Sequence, residues 1–331
     1  MNDRDVVLLV TPRGDHYTID RVAEELAARG ARSHRLDSDA FPSELRLSSV
    51  LDGSARSARR TLRDGDGVID TDAVRAVWMR RLWPAALDDD LDPRMRQGCL
   101  RESMAALRGF LDGLHDRRTV NRIEADLAAQ DKLRQLRVAA HLGLEIPRTL
   151  VTNDPDEVLA FHEALRGPMV TKMLTALTRS MDGASAMVHT SVVRPEDLED
   201  LEGLRYSPMV FQEQVDKAYE LRVAVVTSPQ GGGRCFAGAI DATRSDAGQV
   251  DWRKAAPAQV GWRPGVLPDE VADRLLALVS ALDLVYGAVD LIVTPQGRHV
   301  FLEVNPAGEW GMLERDIGLP VAAALADALL R

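Results

Sequence analysis

Apolar positions along the chain alternate between short solid runs and stretches with helical spacing. "DVVLLVT" (Asp5–Thr11) is apolar on both faces, as a fully buried strand would be. "HYTIDRVAEELAARG" follows with helical periodicity and is closed by Gly30, and "ARSHRLDSDAF" reads as a short second strand. This is a βαβ beginning without the GxGxxG that a dinucleotide-binding turn requires. "AVRAVWMRRLWP" predicts a strand ending at Trp83-Pro84, and "DPRMRQGCLRESMAALRGFLDGL" a long helix. "SARSARRTLRDGDG" is of low complexity and reads as an exposed turn or loop.

After Val120 the pattern changes. Two helical stretches lead to Gly143, "IPRTLVT" is extended, and "DPDEVLAFHEAL" is a helix capped by Asp154 with Pro155 at its first position. "GPMVTKM" and "MVFQEQV" read as strands, and "MDGASAMVHT" as a turn and strand. "YELRVAVVT" and "RCFAGAIDA" form a hairpin across "SPQGGG". "LPDEVADRLLALVSALDL" is an amphipathic helix, "VYGAVDLIVTPQGRHVFLEV" is two strands around "TPQG", and "VAAALADALL" is a terminal amphipathic helix. The expected class is α/β in three parts: an N-terminal α/β domain over 1–118, a small central α+β part over 119–212 and a C-terminal part over 213–331.

Length and composition agree. A chain of 331 residues exceeds one ordinary core, and 45% hydrophobic with 28% charged residues is the mixture of a water-soluble globular protein. A net charge of −10 without a Lys/Arg-rich block argues against a nucleic-acid partner. No apolar stretch reaches membrane-spanning length, and the acidic N-terminus is not that of a signal peptide. Two cysteines, Cys99 and Cys235, without metal-type spacing fit a reducing cytoplasm. Only four of the 41 basic residues are lysine: Lys132, Lys172, Lys217 and Lys254. A lysine kept against that bias marks a position where a compact point charge is useful.

The late hairpin carries the candidate chemistry. A loop of two or four residues centred on Gln296-Gly297 sets Asp290 directly opposite Glu303, with Asn305 one step further on the same face. Facing carboxylates repel unless a cation lies between them, and oxygen donors without His or Cys suit Mg²⁺. The competing reading is a solvated polar strand face, although the flanking "LVYGAVDLIV" and "VFLEV" are apolar enough to be buried. Lys172, inside "MVTKM", is either an edge-strand charge or a point charge for phosphate. Taken alone, Lys132 reads first as part of a solvated helix face, and Glu220 with Arg222, which share a strand face, as an exposed ion-pair row. No GxxxxGK[ST] loop is present.

Taken in order, Lys132, Lys172, "FQEQV", "ELRVAVV", "DLIV" and "LEVNPAG" resemble the ATP-grasp superfamily, most specifically through Asp290 followed by Glu303-x-Asn305. Within it, "AVWMRRLWP", "VNRIEADLAAQDKLRQLRVAAHLGLEIPRTLVTNDP" and "EVNPAGEWGMLE", including Trp310, resemble the graspetide synthetases, the microviridin-type macrocyclases of ribosomal peptides. The resemblance implies an ATP-grasp fold in which a pre-ATP-grasp domain precedes two sub-domains that sandwich ATP. It implies that Lys132 and Lys172 contact ATP phosphates, that Glu213 and Val215 form the adenine hinge, and that Glu220 takes the ribose hydroxyls. Asp290, Glu303 and Asn305 would be Mg²⁺ ligands, two ions being expected, with Arg222 and Arg253 near the transferred phosphate. Arg80 and Arg81 match a family segment without an assigned role.

The implied reaction phosphorylates Asp or Glu side chains of a precursor peptide. It then joins them to Thr or Ser hydroxyls as ω-esters, or to Lys amines as ω-amides, through an acylphosphate. The implied partner is a peptide with a leader and a Thr/Ser/Asp/Glu-containing core, and the implied assembly is a homodimer. Two other readings remain at this stage: an ATP-grasp ligase that adds an amino acid to a protein tail or small molecule, and a non-catalytic nucleotide-binding regulator.

Overall fold

The computed structural model describes residues 5–51, 53, 58–174, 190–228, 231–240 and 261–331. The N-terminal part is a parallel sheet of β1 (Val6–Thr11), β2 (Arg32–Asp37), β6 (Val74–Met79) and β7 (Arg118–Val120), in the order β2-β1-β6-β7. All six residues of β1 are buried, which is why its sequence is apolar on both faces. Helix α1 (Tyr17–Ala28) covers one side with Ile19, Val22 and Leu26, and α2 (Pro93–Asp112) covers the other with Leu107, Phe110 and Leu111.

Two expectations are corrected here. The low-complexity segment is partly a strand: β3 (Arg46–Leu51), β4 (Ala58–Asp64) and β5 (Gly67–Asp70) form an antiparallel sheet, with Leu62 buried in the core beneath α2. One apolar side chain in register suffices to seat a strand whose other face is wet. Strand β6 ends at Met79 rather than Trp83, because the backbone N–H groups of Arg80 and Arg81 both turn to the carbonyl of Val10 at 3.0 and 3.2 Å. The arginines are thereby released from the ladder.

Next come α3 (Ile123–Ala129), α4 (Lys132–His141), β8 (Thr149–Thr152), α5 (Pro155–Leu165), β9 (Met169–Lys172), β10 (Ser191–Val192) and β11 (Met209–Glu213). The strands form an antiparallel sheet β10-β9-β11-β8 against α5. All of the expected "MDGASAMVHT" element except Thr190 lies outside the described residues. The last sheet contains β12 (Tyr219–Thr227), β13 (Gly233–Ile240), β14 (Trp262–Pro264), β15 (Tyr286–Val293) and β16 (His299–Asn305), in the order β14-β13-β12-β15-β16. Its one face packs on α3, α4 and the helix Asp269–Ala281 through Leu221, Val223, Val289 and Phe301.

The other face is divided lengthwise. At one end Ala224 and Val226 of β12 and Tyr286 and Ala288 of β15 join a core that also contains Leu9, Trp78 and Trp310. At the other end the same face carries Glu220, Arg222 and Asp290. The terminal helix Val321–Leu330 fills the joint between this sheet and the N-terminal one. It is apolar nearly all round rather than amphipathic, because seven of its ten residues are buried.

Asn121, directly after β7, pins the two sheets together. Its amide donates to the carbonyls of Tyr286 (2.8 Å) and Pro306 (3.1 Å) and accepts from the N–H groups of Val285 (2.8 Å) and Tyr286 (2.9 Å). A carboxamide has two donors and two lone pairs, so every valence is used while the residue is only 1% exposed. Asn121→Leu should therefore strand two donors and two acceptors. We expect a loss of about 3 kcal/mol or more in urea unfolding, against less than about 0.5 kcal/mol for a surface control such as Glu102→Gln.

Candidate active site

The polar end of the five-stranded sheet is a line of charges. Arg222 on β12, Asp290 on β15 and Glu303 on β16 are direct cross-strand neighbours. Arg222 Nη1 donates to Asp290 Oδ1 and Oδ2 at 2.7 and 2.9 Å, with both side chains buried. On the far side Lys132 Nζ meets Glu303 Oε2 at 2.5 Å, and Asn305 Nδ2 donates to Glu303 Oε1 at 3.2 Å. The order is cation, carboxylate, carboxylate, cation. Each carboxylate thus has a cation on its outer side, which offsets the repulsion between the two.

This row depends on an irregularity. The hairpin loop is the three residues Pro295–Gly297, with Gly297 left-handed at φ 80°, and the ladder next to it pairs Val293 with His299 and Leu291 with Phe301. Continued evenly, that register would put Asp290 opposite Leu302. A bulge between Asp290 and Leu291 takes up one residue, so that Asp290 faces Glu303. The same bulge lets Phe301 and Val304 both enter the core although they are an odd number of residues apart.

Helix α4 seals the outer edge of β16. Gln135, one turn beyond Lys132, donates to the carbonyls of Ala129 (2.6 Å) and Val304 (2.8 Å) and accepts from the Val304 N–H at 2.9 Å. Its amide replaces the missing neighbouring strand between the two site residues. The spacing of three residues puts Lys132 and Gln135 on one helix face, so one aims at Glu303 while the other holds Val304.

The segment after Asn305 is held just as firmly. Four consecutive carbonyls accept from four side chains: Pro306 from Asn121, Ala307 from Arg80, Gly308 from Tyr286 Oη (2.8 Å) and Glu309 from Arg222 Nε (3.2 Å). Burial raises the Tyr286 pKa, which keeps its hydroxyl a donor. Arg80, 1% exposed, also pairs with Asp15 (3.4 Å) and Glu309 (2.7 Å), and Arg81 reaches Glu309 at 3.4 Å. The two arginines without an assigned role thus tie the N-terminal sheet to the site loop. Trp310 is fully buried in the shared core, and its indole Nε1 has no hydrogen-bond partner among the described residues.

The remaining candidates are distributed differently. Glu220, one same-face step from Arg222, pairs with Lys217 at 2.5 Å, both side chains being buried. Lys172 lies at the end of β9 opposite Val210 of β11. Glu213 Oε1 accepts from the backbone N–H of Arg148 at 3.0 Å, and Val215 is half-buried in the connector between β11 and β12. Arg253 and Lys254 fall outside the described residues. Lys217, Glu309, Gln135, Asn121 and Tyr286 were not singled out as site residues. The scarcity of lysine marked Lys217, and helical spacing from Lys132 was a usable signal for Gln135.

This arrangement on this fold is that of an ATP-grasp ligase. Residues 6–126 match the family profile of the MvdD pre-ATP grasp domain. The chain is 44% identical to the macrocyclase MdnB from Microcystis aeruginosa MRC, covering 98% of this chain and 99% of that one, with a TM-score of 0.82. It is 35% identical to macrocyclase MdnC of the same organism, solved with its precursor peptide MdnA, with 98% and 99% coverage and a TM-score of 0.86. It is 30% identical to a RiPP-associated ATP-grasp ligase of Chryseobacterium gregarium, solved with ADP and a leader and core peptide, with 98% and 96% coverage and a TM-score of 0.89. No curated protein matches. The chain belongs to the ATP-grasp ligases that macrocyclise ribosomally made peptides.

Gly308 offers a direct test of the loop. A Cβ there would lie 2.4 Å from Ala288 Cβ and 2.8 Å from Arg222 Nη2. Gly308→Ala should displace the Arg222 guanidinium from Asp290 and lower ATP turnover roughly a hundredfold. Gly98→Ala, at a glycine with open space around it, should leave turnover unchanged.

Proposed function

We propose that this protein closes rings in a precursor peptide by joining Asp or Glu side chains to Thr or Ser hydroxyls, or to Lys amines, with ATP consumed to ADP. The observation that carries this reading is the row Arg222–Asp290–Glu303–Lys132, in a chain whose relatives include a macrocyclase solved with its precursor peptide and a RiPP-associated ATP-grasp ligase solved with a leader and core peptide. A peptide carboxylate oxygen attacks the γ-phosphorus of ATP, and ADP leaves. The hydroxyl or amine then attacks the acylphosphate carbonyl, and phosphate leaves. The proton released in this second step can depart on the phosphate, so no side-chain base is assigned.

The site has the donor chemistry that magnesium requires. Asp290, Glu303 and Asn305 offer hard oxygens. Among the described residues no group of three His, Cys, Asp or Glu side chains forms a closed metal cage. Magnesium is commonly held by one or two carboxylates plus phosphate oxygens, and two ions are expected here. When bound, it supplies charge neutralisation along the phosphates. Lys132 offsets the charge of Glu303 and is long enough to serve phosphate oxygens, and Lys172 serves them from the facing sheet. Glu220 would take the ribose. Glu213, whose carboxylate is occupied by Arg148, would act in the adenine hinge through its main chain together with Val215. Arg222 keeps Asp290 in place as well as supplying charge, and Arg253 is kept as its partner near the phosphate.

On this reading the nucleotide lies between the central part (119–212) and the C-terminal part (213–331), with water excluded from the acylphosphate. The protein would work as a homodimer in the cytoplasm. Among the described residues no helix is long and apolar enough to cross a membrane.

Incubation with ATP, Mg²⁺ and a small precursor peptide carrying Thr, Ser, Asp and Glu in its core should remove one water mass per ring. A gain of mass by an added amino acid would sink the macrocyclase reading. Glu303→Gln should cut turnover by about a hundredfold or more while the protein stays folded. Asp290→Asn is expected to be inactive and also less stable by about 3–5 kcal/mol, because it leaves the buried Arg222 without its counter-ion. Full activity in either variant would contradict the metal assignment.

A further inference from the structure

Lys217 has no task in the chemistry derived above, yet its side chain is buried. It stands in the connector between β11 and β12, and Glu220 is the second residue of β12. Its Nζ donates to Glu220 Oε1 at 2.5 Å, and the two side chains are 6% and 9% exposed. Glu220 opens a row across the sheet that continues with Ile292 of β15 and Val300 of β16, both buried. The carboxylate thus shares its row with apolar side chains, where a charge without a counter-ion is costly. The row Arg222–Asp290–Glu303 lies beside it, two residues or about 7 Å further along β12.

We propose that Lys217 is a positioning residue for the sugar of the nucleotide: its ammonium holds the Glu220 carboxylate where it accepts from the ribose hydroxyls, and so sets a preference for ribonucleotides over 2′-deoxyribonucleotides. This rests on the reading of Glu220 as the ribose acceptor and deepens it. A buried ion pair is a weak device for stabilising a fold, because desolvation consumes most of its attraction. Nor is the pair needed to fasten the connector. The Ala218 N–H already donates to the Val293 carbonyl at 2.8 Å, and Tyr219 pairs with Val293 in the ladder. These contacts tie the backbone beside Lys217 to the sheet that carries Glu220, so lysine and glutamate form one unit on one element. The choice of lysine is itself informative. Arginine is the usual cation of this chain, only four of its 41 basic residues being lysine. A guanidinium would grip both oxygens of the carboxylate in a fork. An ammonium is a compact point charge, and here it takes Oε1. That suits a carboxylate that also has to serve the two neighbouring hydroxyls of a ribose.

The probes are ADP and 2′-deoxy-ADP, titrated calorimetrically with Mg²⁺ into the full chain. The wild type should bind ADP about tenfold more tightly than its deoxy counterpart, as the loss of a hydrogen bond to a charged group implies. Lys217→Met should weaken ADP about tenfold and leave 2′-deoxy-ADP within about twofold, so that the preference disappears. Glu220→Gln should lose the preference as well. If the melting temperature shows that Lys217→Met does not fold, Lys217→Gln, which keeps a polar tip, is titrated with the same expectation. A folded Lys217 variant that keeps the preference overturns the proposal. Equal weakening of both nucleotides also overturns it, because that marks a phosphate contact or general damage rather than a sugar contact. The two readings fail separately. Loss of the preference in Glu220→Gln with its retention in Lys217→Met defeats the role of Lys217 and leaves the ribose assignment standing. A wild type without any preference, or its retention in Glu220→Gln, defeats the ribose assignment itself. Ring closure is read independently, by the loss of water from the precursor.

Discussion

Two carboxylates side by side on neighbouring strands are the constraint around which the rest of this protein is arranged. Asp290 and Glu303 face each other across β15 and β16, where separation is about 5 Å and mutual repulsion is strong. Arg222 on one side and Lys132 on the other set a positive charge against each of them. The cost of burying four charges is offset because each carboxylate is both paired and hydrogen-bonded. Those cations come from different places, one from the central strand of the sheet and one from a helix, so the charge row exists only if helix and sheet are docked in register. Gln135 enforces that docking through the backbone of Val304, the residue between Glu303 and Asn305.

The same logic explains the loop that follows. A backbone turn next to a charged site tends to be mobile, because its carbonyls face water. Here four successive carbonyls are each taken by a side chain from a distant part of the sequence, and two of the donors are guanidinium groups. Arg80 brings the N-terminal sheet into this arrangement, and Arg222 links it back to Asp290. The site is thus referenced to both sheets at once. Gly308 is required by the closeness of this packing rather than by its backbone angles.

Much of this was legible in the sequence, though not always for the right reason. Period and capping located β1, α1, α2, α5 and both late hairpins, because each is governed by local rules. The pairing of Asp290 with Glu303 followed from assuming an even-length loop and a regular ladder. The loop in fact has three residues, and the pairing holds because the bulge at Leu302 adds one residue back. No local signal distinguishes those two routes to one register. Strand β4 was missed because a single buried leucine among arginines carries almost no periodic signal. The terminal helix was misjudged because Asp327 looked like the mark of a wet face. In the fold that carboxylate is satisfied by Arg29 and Arg234 at 2.9 Å each while the rest of the helix is enclosed. Roles that depend on distant partners, such as those of Asn121, Arg80 and Glu309, could not be read from spacing at all.

Trp310 illustrates how a correct resemblance can carry an incomplete physical meaning. It helped to mark the chain as similar to peptide macrocyclases without saying what it touches. It is fully buried among Trp78, Leu313, Val321 and other residues of the core that joins the two sheets. A bulky aromatic there sets how closely the N-terminal sheet approaches the five-stranded one. That spacing in turn decides whether Arg80 can span from the end of β6 to Ala307 and Glu309. The C-terminal motif of this chain thus builds a joint of fixed width between a charged site and the domain beside it.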